Sequence, residues 1–107
     1  MDRKARSLDV LKSVLELFGN SEAWSATQLA EDADGRPVEP CSLSATRWSI
    51  TGALIKFHTT VLAINAITQV AGRDLTTIQL RMTYKELLGV LISAIRWMEL
   101  WREDDKH

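Results

Sequence analysis

One cysteine, Cys41, stands in 107 residues. A single thiol cannot close an internal disulfide, which fits a reducing compartment, and we expect a cytoplasmic protein. Only two histidines are present, His58 and His107. With one thiol and one histidine away from the terminus, the donors of a tetrahedral zinc site are missing, so no metal or other cofactor is expected. No glycine-rich strand–turn–helix exists to cradle a nucleotide, and no small-molecule ligand is implied. No paired carboxylates fall on one expected buried face, which leaves acid–base hydrolysis without a foothold. An excess of one charge is also lacking: 13 Lys and Arg oppose 14 Asp and Glu, for a net charge of −1. No long-range field therefore draws the chain to nucleic acid or to an anionic membrane. No apolar run is long enough to span a bilayer, and residues 1–6 are charged but lead into an amphipathic segment rather than a signal peptide. Repeats and low-complexity stretches are absent from the sequence. We expect a protein that is not an enzyme.

What is present is an ordinary globular composition, 46% hydrophobic, enough for one core in a single helical domain over residues 1–107. Residues 44–58, SATRWSITGALIKFH, are the most core-like stretch. On a helical wheel Ile50, Ala53, Leu54 and Phe57 form one apolar arc, and Ala45, Trp48, Gly52 and Ile55 form another. A helix with two stripes is gripped from both sides. Gly52 costs about 1 kcal/mol against Ala, so its place suggests close approach of another element. Ser42 or Ser44 would cap this helix.

The remaining segments pack around it. Residues 3–18 read as an amphipathic helix through Leu8, Leu11, Val14, Leu15 and Phe18, stopped by Gly19 in the manner of a glycine C-cap. Residues 20–40 are the least regular. A short helix capped by Ser21 or Ser25 and a pair of short strands around Asp32-Ala33-Asp34-Gly35 both fit; we favour the hairpin, at residues 26–39, on the Asp-Gly turn signal. Asp32, Asp34 and Gly35 imitate the opening of a calcium loop whose later ligands are missing. Residues 59–71 favour helix through Ala63, Ala66, Ile67 and Val70, with a break or bend near residues 58–60 and Gly72 at the end. Ile78, Leu80 and Met82 alternate, which suggests an extended connector. Thr83 and Glu86 match a capping box and open the longest helix, to about residue 102, burying Leu87, Leu91, Ala94, Ile95, Met98 and Trp101. Residues 103–107 are charged and expected to fray. The fold class is mainly α: a compact bundle of three to four helices around a central buried helix, with a short β-hairpin.

Two constellations stand out. Arg47, Thr51 and His58 share a polar seam on the central helix, and an Arg and a Thr near a His can hold an anion or a partner carboxylate. A solvated seam between packed faces explains it as well. Trp97 and Trp101 lie one turn apart beside Arg96, and Trp is enriched at interface hot spots. Packing across the first helix is the competing role. Cys41 with His58 has no third group to orient it as a nucleophile–base pair. A helix-turn-helix is disfavoured by the long gap between the segments that would form it.

Three segments carry a resemblance. They are Trp24 followed by residues 29–38, LAEDADGRPV; residues 45–54, ATRWSITGAL; and residues 83–88, TYKELL, with Ala94-Ile95. In this order they resemble an uncharacterised family of small bacterial and phage proteins, the domain-of-unknown-function family DUF6197. The resemblance spans nearly the whole chain and is most specific at Trp-x-x-x-Gly-Ala-Leu, Trp48 to Leu54. Where the family often has Cys after that Trp, this chain has Ser49, and only Arg73-Asp74-Leu75 traces the family's segment before the last helix. The resemblance implies no activity, but it implies a bacterial or mobile-element setting.

These readings lead us to expect a small non-enzymatic protein–protein interaction protein, a phage or mobile-element accessory factor, acting through a protein partner or self-association. The alternative is a nucleic-acid-associated regulatory protein, which the charge disfavours.

Overall fold

The structure, a computed structural model, describes residues 2–102. The expectations for residues 103–107, His107 included, lie outside the described residues. In chain order the elements are α1 (Arg3–Leu17), a 3₁₀ turn (Ser21–Ala23), β1 (Ala30–Glu31), β2 (Arg47–Trp48), α2 (Ile50–Lys56), α3 (Val61–Ala71), α4 (Leu75–Arg81) and α5 (Tyr84–Leu100). The architecture is mainly α, with five α-helices among the described residues where three to four were expected.

α1, α3 and α5 pack on one another and hold most of the core. α1 contributes Val10, Leu11 and Val14, with Phe18 at its end. α3 contributes Leu62, Ala63, Ala66 and Ile67; α5 contributes Leu87, Leu91, Ala94 and Met98. Three buried alanines on the α3 and α5 faces let these helices approach closely. Lys4 Nζ donates to the Glu99 carbonyl at 2.9 Å, tying the start of α1 to the end of α5. The Tyr84 hydroxyl donates to the Phe18 carbonyl and ties the other end.

Helix starts follow the expected chemistry. Thr83 and Glu86 form the reciprocal capping box of α5. Thr60 caps α3 by accepting from Ala63 N at 3.0 Å. Its hydroxyl also meets Ser7 Oγ at 2.6 Å, and Ser7 Oγ lies 2.7 Å from the Arg3 carbonyl. One proton arrangement satisfies all three contacts: Thr60 donates to Ser7, and Ser7 donates to Arg3. That explains how Ser7 can be fully buried. The expected break falls where the sequence places it. His58 adopts φ 52°, and Gly72 ends α3 in the left-handed region.

Three expectations are corrected. Residues 44–49 are not helical: α2 begins at Ile50, and its cap is Ser49, whose Oγ accepts from Gly52 N at 3.0 Å, rather than Ser42 or Ser44. The short α2 is therefore not the hub of the bundle. It is a strut that packs on α1, α4 and β2. Ile50, Ala53 and Leu54 are buried as the first arc required, whereas Ile55 of the second arc is exposed. The connector at residues 73–82 is a helix, because Asp74 caps it by accepting from Thr77 N at 2.8 Å and Ile78 is buried while Leu80 is not. Gly19 does not supply a left-handed cap; α1 ends on Phe18 with φ −82°.

The expected turn forms at residues 32–35. Asp32 Oδ1 accepts from Asp34 N and Arg36 N, both at 2.9 Å, and Gly35 takes φ 80°. The aspartate that imitated a calcium ligand is thus a turn-former. Its second arm is held by an antiparallel bridge between Glu31 and Pro37. The regular pairing of β1 is with β2, Ala30 opposite Trp48 and Glu31 opposite Arg47. A parallel bridge adds Trp24 beside Trp48. Four short extended pieces therefore lie side by side, from residues 37–38 through β1 and β2 to residues 24–25.

Both edges of this small sheet are blunted. Pro37 brings no N–H to one edge. At the other, Gln79 of α4 donates from Nε2 to the Ala26 carbonyl at 2.7 Å. Its Oε1 accepts from Ile50 N at 3.2 Å, an N–H that the start of α2 leaves without a helical partner. One amide thus clips α4, α2 and the sheet together. Gln79→Ala is expected to cost about 1–2 kcal/mol, read as a lower urea midpoint with an unchanged slope; an unchanged midpoint would dismiss the clip.

The capping carboxylates predict an acid dependence. Asp74 is held below the usual carboxylate range by the Thr77 backbone N–H and then the Thr77 hydroxyl. Glu86 is held low by the Thr83 backbone N–H and then the Thr83 hydroxyl, with Arg73 helping. A depressed folded pKa stabilises above the unfolded value and is lost as pH falls through the folded one. Both caps are therefore complete at neutral pH and release only in acid. In an NMR titration the amide protons of Thr77 and Thr83 should shift with midpoints below those of ordinary Asp and Glu. Midpoints at the ordinary values would contradict the caps.

Candidate functional site

A groove of about 470 Å³ lies between the 3₁₀ turn and β2. It is lined by Asn20, Ser21, Glu22, Trp24, Thr46 and Arg47. That volume is within the range of small-ligand clefts. The local chain positions both walls. Asn20 caps the turn by accepting from Glu22 N at 3.1 Å, and the turn packs beside β2. Ser25 N then donates to the Trp48 carbonyl at 2.9 Å and joins the chain to β2.

Arg47 is held in place. Its Nε lies 2.9 Å from Glu31 Oε1, its directly opposed partner across the sheet. Glu31 Oε2 in turn accepts from Gln28 Nε2 at 3.2 Å, and the same amide reaches the Gly35 carbonyl at 3.3 Å. The Glu31 side chain is only 13% exposed and that of Arg47 is 38% exposed. The pair is better shielded than an ordinary surface salt bridge, whose worth is about 0–1 kcal/mol. The guanidinium thus meets Glu31 through its Nε side, and among the described residues Glu31 is its ion-pair partner.

Trp24 forms the apolar wall. Its ring stands 5.9 Å from that of Tyr84, tilted by 40°. Half-buried and braced from behind, it offers a fixed aromatic surface.

The polar seam expected on the central helix dissolves. Arg47 sits on a strand and pairs with Glu31, so the wheel that aligned it with Thr51 and His58 does not apply. Thr51 lies in the first turn of α2, and His58 follows that helix, about 10 Å further along its axis. The exposed His58 contributes its carbonyl, which accepts from Arg6 Nη2 at 3.2 Å beside the Phe57 carbonyl at 3.0 Å. That contact closes the C-terminal end of α2. Cys41 Sγ also lies at that end, 3.9 Å from the Lys56 carbonyl.

Trp97 and Trp101 are half-buried against the core, and the Arg3 guanidinium lies 5.9 Å from the Trp101 ring. Packing against α1 thus uses part of the surface that the tryptophan pair would offer a partner. Arg96 is exposed. A second, smaller groove lies between α1 and α2, against Ser13, Glu16, Leu17 and Phe57.

Sequence reasoning reached Arg47 but placed it on a helix, and it gave Trp24 no site. Glu31 carried a signal in the form of a short strand ending before an Asp-Gly turn. Nothing local indicated that its partner lay at residue 47. No protein-family model, curated protein or solved structure matches this chain.

Proposed function

We propose that this chain is a small non-enzymatic protein–protein interaction protein, and that the groove between the 3₁₀ turn and β2 is its recognition surface. One observation carries the reading. Arg47, fixed through Nε on Glu31, stands in one groove with the braced ring of Trp24. Arg and Trp are the residue types that dominate interface hot spots, and pre-fixed side chains lose little freedom when a partner docks. The resemblance described above adds the phage or mobile-element setting. The nucleic-acid alternative has no specific observation in its favour, since Lys4 and Arg6 are spent on backbone carbonyls and Lys56 lies over the Trp48 ring.

The test is site-resolved photo-cross-linking in extract of the native host. p-Benzoylphenylalanine replaces Ser21, an exposed position on the groove wall, or Gln69, an exposed position on α3. A discrete adduct with another protein from position 21, absent from position 69 and lost on Arg47→Gln, is the expected result. No adduct at position 21, or the same adduct from both positions, would defeat the proposal.

A further inference from the structure

We infer that the groove takes a dipolar protein segment, one that presents a carboxylate to Arg47 and a cation to Glu22. The inference rests on the reading of the groove as a protein-binding surface, and it names the chemistry of the partner.

Glu22 and Arg47 carry opposite charges on the lining of one groove, yet they do not pair. Arg47 gives its Nε to Glu31, and among the described residues Glu22 forms no ion pair. A guanidinium has two edges that can grip a carboxylate with two parallel hydrogen bonds. With Nε on Glu31, one of them is taken at least in part. The end-on edge, Nη1 with Nη2, is the one left for a ligand. Glu31 is itself fixed through Gln28 to the Gly35 carbonyl, so the orientation of that edge is set before any ligand arrives. The hydroxyls of Ser21 and Thr46 and the Asn20 amide add neutral hydrogen-bonding groups to the same lining.

Charge balance decides between an acidic segment and a dipolar one. Glu31 offsets much of the field of Arg47, while among the described residues no ion pair offsets Glu22. A ligand bearing only a carboxylate would gain the fork but feel the unopposed charge of Glu22. A ligand bearing only a cation would leave the Nη donors unused. A segment with both groups, flanking an apolar side chain for Trp24, satisfies all three walls. Because the two ion pairs oppose each other at long range, binding should depend only mildly on salt.

The experiment follows the indole N–H of Trp24 and the Nε–H of Arg47 by NMR in the full chain. The probe is the capped peptide acetyl-Gly-Lys-Leu-Asp-Gly-amide, compared at millimolar concentration with versions in which Asp becomes Asn, Lys becomes Gln, or both. The expected result is saturable movement of both signals with the first peptide, and affinity about fivefold weaker without the carboxylate and about twofold to fivefold weaker without the cation. Glu22→Lys should reverse the preference for the cation, so that the Gln version binds better than the Lys version. Equal affinity for the doubly neutral peptide would overturn the charge assignment while leaving the groove a protein site. No movement with any of the peptides would also overturn it, and the cross-linking at position 21 would then decide the wider reading independently.

Discussion

Gly52→Ala is expected to cost about 3–5 kcal/mol, a large share of what a domain of this size has to lose. A Cβ on Gly52 would lie 1.7 Å from the Leu29 carbonyl oxygen and 2.6 Å from its carbon. Both are backbone atoms, so no side chain can swing aside. Leu29 is itself restrained, because its carbonyl accepts from Ser49 N at 3.2 Å and so belongs to the β1–β2 ladder. α2 is no freer, since Ile50, Ala53 and Leu54 are buried. Relief requires giving up either the ladder or the seating of the helix. The helix-propensity gain of Ala over Gly, about 1 kcal/mol, is too small to compensate. Gly89 supplies the control. It lies mid-helix in α5, exposed, and a Cβ there meets nothing within 4 Å. Gly89→Ala should stabilise by about 0.5–1 kcal/mol. The same substitution at two helical glycines thus has opposite signs. Urea unfolding of both variants measures it, and a Gly52→Ala midpoint close to that of the parent would refute the close approach.

Gly52 also shows what the sequence could reveal. A glycine inside an apolar helical pattern is a cost that needs a reason, and the reason, another backbone in contact, is what the structure holds. The capping box at Thr83 and Glu86, the Asp-Gly turn and the break at residues 58–60 were legible for the same cause: each is settled by chemistry within a few residues. The misreadings arose where distant partners decide. Residues 45–49 fit a helical wheel, but Arg47 and Trp48 lie opposite Glu31 and Ala30, and that pairing across many residues is invisible to a local pattern. The buried Ser49 was the available hint, since Ser is a far better cap than helix interior. In α4 the alternation of Ile78, Leu80 and Met82 competed with a helical set, Leu75, Ile78 and Met82, behind the capping Asp74; the helical set matches the burial. The groove could not have been read at all. Its walls come from residues 20–24 and 46–47, which the parallel bridge between Trp24 and Trp48 joins.

That bridge makes Trp48 the second site of large expected effect. The residue is 7% exposed, and its indole N–H donates to the Pro40 carbonyl at 2.9 Å. Lys56 Nζ lies 5.0 Å from the ring centre, so α2 closes over it. Its backbone carbonyl receives the Ser25 N–H that sets the groove wall, and its neighbour Arg47 is the opposing wall. Trp48→Ala should cost about 3–5 kcal/mol through the lost ring and the cavity left behind. It should also erase the defined positions of Trp24 and Arg47. Trp48→Phe separates these roles. It keeps an aromatic ring and every backbone bond, but it leaves the carbonyl of the buried Pro40 without its donor, at a cost of about 1–3 kcal/mol. The Phe variant should therefore unfold at lower urea yet keep the Trp24 indole and Arg47 Nε–H signals near their parent positions. The Ala variant should lose both. If Trp48→Phe displaced those signals as far as Trp48→Ala, the groove would depend on the indole itself rather than on the backbone pairing that Trp48 anchors.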